Sequence, residues 1–485
     1  MTFHWAWAVV FLPWIGAIAL AAMPPRGRMP ALVNLGVSAL SLVLALVLLA
    51  QPYGVQGWTR TDALNLPFVL LSAIVGCTTA AFSAATVDAE GFDELRARAY
   101  HAAFQVFMGA QFLALLSDNL GVMWVAIEIA TLASVLMVAV HGTPSAVEAA
   151  WKFFILCGVG IALALFGTIL LYLAAQPVIG AGDPGLSWGA LAAVAAKCDP
   201  GVLSLAFVFL LVGYGTKAGL VPLHSWLPDA EAEGPLPINA VLSGLLLNAA
   251  LFAVLRAKAI VGAHPEAMAP GPLMVAFGLA SLLLAGFALW RRRDARRLFA
   301  WSSIEHMGLA TFAFGIGGVA ANLAGLLHML GHSLVKSGVF FAIGAAAQIK
   351  GSQKVADIGG LARSHPGLGW ALALGIAALA GLPPFTLFVS EFSMVVATAA
   401  AQPWLLLPLG LGLLVAAAAL VTVLQRLCLG APTPDNPTED AFSLPGGVLW
   451  ASIPTWLHLV LAALLALAAP AGLAAMLREG ARVLG

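Results

Sequence analysis

Hydrophobic residues make up 61% of this 485-residue chain and charged residues only 9%, with 22 basic side chains balanced by 22 acidic ones. A soluble domain carries roughly a quarter of its residues as charges, so a mean hydropathy of +0.99 excludes an ordinary water-soluble fold. Zero net charge, with no basic cluster beyond one short loop, excludes a nucleic-acid partner.

Apolar runs recur at about 5–23, 31–51, 65–86, 99–116, 120–140, 152–175, 201–223, 237–260, 268–289, 297–315, 320–347, 367–398, 404–426 and 450–477. Such runs match the length needed to cross about 30 Å of hydrocarbon. Lipid satisfies no backbone group, so the spans must be helices, and the alternation of a β-barrel is missing. The expected fold class is an all-α polytopic membrane protein of about 14 transmembrane helices. Residues 1–23 show no basic n-region and no small-residue cleavage site, so they count as the first span rather than as a signal peptide.

Taken in chain order, the spans hold eight ionisable residues that resist being moved to a loop. Glu128, in "NLGVMWVAIEIATLASV", lies roughly 13 Å into the fifth span at about 1.5 Å per residue. Lys217 is similarly deep in the seventh, which ends on "VPLHSWLP", a sequence that predicts a helix break. A facing carboxylate and ammonium oppose each other's desolvation, as a proton carrier with its modulator or as a permanent pair joining two helices. Glu305 and His306, in "WSSIEHMGLA", lie about two turns into the tenth span and are expected near the interface. His328, His332 and Lys336 recur every four residues in the eleventh span and share one face. They read as a proton relay or as interhelical hydrogen bonds; no HExxH pattern supports a metal. Glu391 follows the double proline of "GLPPF" (381–385), which predicts a broken twelfth helix. A buried charge costs roughly 2.5–3.5 kcal/mol on insertion scales and marks a functional path by default.

Four scattered cysteines (Cys77, Cys157, Cys198, Cys428) with no CxxC argue against an iron–sulfur or structural zinc site in this chain. No GxGxxG opens a helix after a strand and no Walker loop is present. No cofactor, no metal and no catalytic centre is expected here.

Lys and Arg favour cytoplasmic loops. With both termini outside, fourteen fall on the cytoplasmic side (Arg26, Arg28, Arg96, Arg98, Lys152, Arg291, Arg292, Arg293, Arg296, Arg297, Lys350, Lys354, Arg363 and Arg426). Six fall outside (Arg60, Lys197, Arg256, Lys258, Arg478 and Arg482), and Lys217 and Lys336 stay within the membrane. The expected location is the inner (plasma) membrane, multi-pass. The broken spans seven and twelve stand five helices apart, so two five-helix units, spans 4–8 and 9–13, would have opposite topology, as in inverted-repeat transporters. The corresponding divisions are 1–98, 99–262 (first repeat), 263–427 (second, inverted repeat) and 428–485 (a polar loop and the last helix).

Four segments together carry a resemblance: "TKAGLVPLHSWLPDAEAEGPLPINAVLSGLLLNAALFAVLR" (216–256), "WSSIEHMGL" (301–309), "HSLVKSGVFFAIG" (332–344) and "GLPPFTLFVSEF" (381–392). The chain, from about 100 to 400, resembles the antiporter-like, proton-translocating membrane subunits of complex I, Mrp cation/proton antiporters and group 4 membrane-bound hydrogenases. Within them it is most similar to component F of hydrogenase-4. The resemblance implies fourteen helices with inverted repeats, Glu128 as the fifth-helix glutamate, and Lys217 as its seventh-helix partner. It places His328, His332 and Lys336 along a central hydrophilic axis and Glu391 near the exit, with His224, Glu305 and His306 as auxiliaries. It also implies partners: other membrane subunits of the complex and a peripheral redox arm carrying iron–sulfur clusters.

Two positions depart from the family pattern. Asn248 stands where many members have a second lysine, and Glu231 where a histidine often follows "PDA". An amide both donates and accepts, so a water-bridged route through Asn248 to His332 is expected in place of a lysine-to-lysine handover. The chain stops soon after its fourteenth span, without the long lateral helix of some complex I subunits, and 426–447 reads as a partner contact or linker. The function expected is vectorial proton transfer within a redox-driven complex. The alternatives are an Mrp-like cation/proton antiporter module, a non-conducting scaffold, and proton conduction coupled to other chemistry such as inorganic-carbon uptake.

Overall fold

The structure is a computed structural model that describes residues 4–24, 27–436 and 447–485, with side chains omitted at 88–89 and 447–451. Arg26 and positions 437–446 of the polar 426–447 loop therefore lie outside the described residues. Helices α1 (Trp5–Ala22) and α2 (Met29–Leu49) lead into a two-stranded hairpin, β1 (Gly54–Gln56) and β2 (Thr59–Thr61), which the hydropathy reading did not contain. Then follow α3 (Leu66–Thr86), α4 (Glu94–Leu116), α5 (Leu120–Val138), the long α6 (Pro144–Ile179) and the short α7 (Trp188–Val194). Side-chain oxygens fix where several helices start: Asp93, Asn119, Thr143, Asp199 and Asp294 each accept from a backbone N–H in the first turn.

The seventh sequence span is two helices, α8 (Pro200–Lys217) and α9 (Trp226–Glu233), so the break falls where the proline pattern put it. Gly219 takes φ +74° there, a conformation that suits glycine. Backbone groups freed at the break find partners: Trp226 Nε1 donates to Thr216 O at 2.8 Å, and the N–H of Val221 donates to Ser281 Oγ at 3.0 Å. Next come α10 (Ile238–Val241), a π-helical turn (Leu242–Leu246) and α11 (Leu247–Val261), one continuous rod that is wholly enclosed by protein. The wider turn displaces backbone carbonyls, and side chains from neighbouring helices satisfy them. Gln111 Nε2 donates to Leu245 O at 3.1 Å, Ser337 Oγ to Ala240 O at 2.9 Å, and Ser333 Oγ to Gly244 O.

The second half runs through α12 (Pro270–Leu289), α13 (Ala295–Ile316), the 33-residue α14 (Gly318–Lys350), α15 (Leu361–Ser364), α16 (Pro366–Leu379), α17 (Thr386–Ala401), α18 (Leu406–Leu424), α19 (Gly447–Leu467) and α20 (Ala471–Val483). The twelfth span is broken between α16 and α17, with Gly381 at φ +69°. Helices α12 and α13 touch backbone to backbone. A Cβ on Gly278 would meet backbone atoms of Gly308 and Phe312 at 2.6–2.8 Å.

Among the described residues, eleven helices are long and apolar enough to cross a membrane, or twelve if the bent pair α19/α20 counts as one span. Helix α13 falls outside that count because Arg296, Arg297, Glu305 and His306 dilute its apolarity. Helices α16 and α17 fall outside because 14 and 16 residues reach only about 21–24 Å. The last span also needs correction. It ends at Leu467 rather than 477, because the chain turns by 73° across 468–470 into α20, where Pro470 blocks continuation. Helix α20 lies over the end of the bundle: Lys258 Nζ donates to Leu484 O at 2.7 Å and Asn322 Nδ2 to Ala481 O at 3.1 Å.

The described part of the polar loop folds back on its own chain instead of hanging free. Lys350 Nζ bonds Thr433 O (2.6 Å) and Asp435 Oδ1 (2.7 Å). Most other helices expose large apolar side chains outward, Leu407, Trp404 and Leu414 among them, as a lipid-facing surface does. Helix α14 is nearly as enclosed as the α10–α11 rod, and these two form the axis on which the ionisable groups sit.

Candidate functional site: a buried row of titratable side chains

Lys217 is the last residue of α8, so the break places its ammonium free of further helix above it. The side chain is completely buried and pairs with Glu128 Oε2 at 3.0 Å, and its Nζ also donates to the Thr131 hydroxyl. Glu128 keeps 22% of its side chain exposed, so the pair joins an enclosed cation to a partly exposed acid in the middle of α5. The facing arrangement expected for these two residues is the observed one.

The second group gathers around α14. His328, His332 and Lys336 are all buried on the same face of one unbroken helix. Glu305 and His306 are both enclosed by protein, on α13, which packs against α12 and α14. His306 Nδ1 and His328 Nε2 are 3.2 Å apart, and His328 Nδ1 is 2.9 Å from Ser390 Oγ on α17. The His306 ring also lies 5.3 Å from that of His332, whose two nitrogens have no partner. His306 Nε2 is 3.5 Å from Glu305 Oε2.

Lys336 Nζ donates to the Phe299 carbonyl at 2.8 Å rather than to a carboxylate. Two buried acids, Glu231 and Glu305, act on it electrostatically from different helices. Glu391, one residue beyond Ser390, is partly exposed, and its carboxylate rests against Gly381 in the helix break. His306, His328 and Glu391 bring one potential donor atom each within 4.8 Å of one another. Within this group His306 Nδ1 and His328 Nε2 are hydrogen-bonded to each other, while His306 Nε2 has no hydrogen-bond partner.

Asn248 bridges toward this group. Its Nδ2 donates to Ser333 Oγ (2.7 Å) and Met329 O (3.2 Å), while Oδ1 has no partner. The amide is thus docked on α14 at Met329 and Ser333. His224 stands apart: it lies in the α8–α9 break with its ring 5.1 Å from Trp301, bonded to none of the row.

Sequence reasoning missed several buried charges. Arg256, Lys258 and Arg296 were assigned to loops or helix ends, yet all three are enclosed. Arg256 bonds Asp62 at 2.7 Å and stacks 4.2 Å over Trp188, while Arg60 bonds Asp118 at 2.6 Å beside it. Glu231 was noticed only as a departure from a pattern. It is fully buried and neither carboxylate oxygen has a hydrogen-bond partner. Its place in "LPDAEAEGP", immediately after a predicted break, was the available signal, although Asp229 and Glu233 of the same half-helix remain partly exposed.

Chemically, the site is a chain of amines, carboxyls and imidazoles at membrane depth, interrupted by gaps that water can bridge. Such a row is suited to passing protons.

Residues 117–416 match the family described as the NADH:quinone oxidoreductase/Mrp antiporter transmembrane domain. The chain is 48% identical over 442 residues to a hydrogenase-4 component F homologue of Methylacidiphilum infernorum, covering 90% of this chain and 93% of that one. It is 26% identical to the NAD(P)H-quinone oxidoreductase chain 4 of Gloeobacter violaceus, over 82% of this chain and 76% of the relative. Among solved structures, a chain of the archaeal membrane-bound sulfane sulfur reductase superposes with a TM-score of 0.86 at 22% identity, covering 99% of this chain and 97% of that one. A chain of the Mrp complex from Dietzia sp. gives 0.83 at 21%, covering 100% and 97%. With the match running through both halves of the buried row, the chain belongs to the NADH:quinone oxidoreductase/Mrp antiporter membrane-subunit family.

Proposed function

We propose that the protein is the proton-translocating membrane subunit of a redox-driven complex of the group 4 hydrogenase or complex I type. The observation that carries this is the fully buried Lys217, held by Glu128 and Thr131 at a helix break, in a protein that buries a second lysine, Lys336, on α14. The similarity to component F and to complex I chains supports the same reading.

In this reading the membrane domain has fourteen spans: α8 with α9 and α16 with α17 are broken spans, α13 crosses despite its charges, and α19 is the last. Residues 99–262 and 263–427 are inverted repeats, each with its broken helix in the fourth place. Residues 1–98 and 428–485 flank them, and both termini face outward across the inner membrane. Other membrane subunits and a peripheral arm with iron–sulfur clusters are the partners.

A redox event next door changes the field at Glu128. Lys217 releases its proton, which passes by water and Asn248 to His332 and Lys336. Glu305, His306 and His328 carry it on to Glu391, and Glu391 releases it. His224 stays at the α8–α9 break as a neighbour of this route. Moving one charge across 100 mV requires about 2.3 kcal/mol, and a lysine shifted by two pKa units supplies about 2.7 kcal/mol, so modest changes in pairing suffice.

The test is proton uptake by proteoliposomes holding the intact complex, wild type against Lys217→Ala, with redox turnover followed in parallel. At least a ten-fold loss of protons moved per electron supports the conduit. Wild-type pumping in the variant returns Lys217 to a structural pair and the chain to a scaffold.

A further inference from the structure

His306, His328 and Glu391 come from three helices, α13, α14 and α17, that pack against one another. No spacing within one segment could announce such a trio, so the sequence shows no metal pattern. One donor atom of each residue lies within 4.8 Å of the other two. His306 Nδ1 and His328 Nε2 are 3.2 Å apart. Two nitrogens held by one tetrahedral ion at about 2.0–2.1 Å stand about 3.3 Å from each other. The imidazoles therefore already have a chelating separation, and the carboxylate has to close in by no more than about 1.5 Å.

The outward nitrogens of the two rings set this pair apart from a chance meeting. A metal-binding imidazole keeps its other N–H for a nearby acceptor, which fixes the tautomer and the ring. His328 Nδ1 has Ser390 Oγ at 2.9 Å. His306 Nε2 faces Glu305 Oε2 at 3.5 Å, and both of these buried atoms lack a hydrogen-bond partner. While a proton sits on His306 Nδ1 between the rings, Nε2 is bare and has nothing to offer Glu305. An ion in the place of that proton puts it on Nε2, and the two orphaned atoms become donor and acceptor. Glu391 and Glu305 together bring two negative charges to a dication, and buried charges persist where they are paired or bind metal. Imidazole ligands favour zinc and its first-row neighbours over sodium, magnesium and calcium, which prefer oxygen. Glu391 is partly exposed beside the break at Gly381, which supplies a way in.

We infer that His306, His328 and Glu391 form a binding site for a divalent transition-metal ion of the zinc type, with Glu305 and Ser390 orienting the two imidazoles. The binding stands apart from the proton-translocation reading; its consequence rests on that reading. A bound ion occupies the lone pairs used by the last proton steps and ties α17 to α13 and α14, so it closes the route between His328 and Glu391.

The purified full-length protein, freed of metal by a chelator, tests the site with zinc alone. X-ray absorption of the one-to-one zinc complex should show two imidazoles at about 2.0–2.1 Å; one or none overturns the site. In equilibrium dialysis, His306→Gln, His328→Gln and Glu391→Gln, each first shown to be folded by its thermal unfolding, should bind zinc at least ten-fold more weakly than wild type. His365→Gln, which removes a histidine beside Asp435, should bind as wild type does. Affinity that falls for His365→Gln and holds for the other three also overturns the site. Ser390→Ala keeps all three ligands and should weaken binding about ten-fold. In proteoliposomes holding the intact complex, zinc on both faces should lower protons moved per electron at least ten-fold, and a chelator should restore them. Ser390→Ala should then need about ten-fold more zinc for half the effect. Zinc held by two imidazoles with pumping unchanged supports the site and removes His306, His328 and Glu391 from the proton route.

Discussion

Each buried charge in this protein is tied down in its own way, and the differences predict different consequences of removing it. Lys217 has an acid and a hydroxyl, Lys336 has a backbone carbonyl, and Arg256 has Asp62 and the face of Trp188. Truncating one member of a buried pair leaves the other uncompensated, at about 3–5 kcal/mol. Arg256→Ala is expected at the lower end of that range, because the Asp62 side chain is 21% exposed. Thermal unfolding of the purified protein should show a clear drop, while the folded fraction moves as many protons per electron as wild type. A loss of coupling at unchanged stability would instead enrol Arg256 in the proton path. Glu128, Lys217 and the histidines were legible in the sequence because each interrupts a long apolar run. Glu231, Arg256 and Arg296 were not, because each lies at the end of a run, where a hydropathy window cannot distinguish a loop from a segment folded inward.

Among the helices, the two breaks were readable from their prolines, since proline removes a donor and clashes with the preceding turn. The π turn at 242–246 was not, for no residue in "LSGLL" demands it. It depends on Ser333, Ser337 and Gln111 arriving from other helices to satisfy its carbonyls. The bend after Leu467 was hidden for a related reason: "LALAAPAGLAAML" stays apolar through the turn, and the docking of α20 onto Lys258 and Asn322 is tertiary. The α12–α13 contact makes a sharper prediction. Gly278→Leu must push two backbones apart, an overpacking cost of about 1–3 kcal/mol or more. It should lower thermal stability by that amount and reduce pumping by displacing Glu305 and His306. Unchanged stability would mean that the helices slide apart freely and that α13 is not fixed by its neighbour.

For the molecule as a whole, the arginine-rich loops and helix α20 lie at opposite ends of the bundle, as the Glu90–Leu236 and Arg297–Glu233 contacts at one end and the Lys258–Leu484 contact at the other indicate. With the proposed orientation, Arg293→Cys should react with an impermeant thiol reagent only in everted vesicles and Glu479→Cys only in right-side-out ones. The reverse pattern would invert the direction of every step in the path. The close seating of α13 on α12 has a mechanical corollary. One flank of the charge row is a closely seated helix bearing Glu305 and His306, while Lys217 and Glu391 lie beside the breaks of the two interrupted spans. A proton hops between heavy atoms only near hydrogen-bond distance, about 2.5–3.0 Å. A shift of about half an ångström at either break is therefore enough to carry such a contact out of that range.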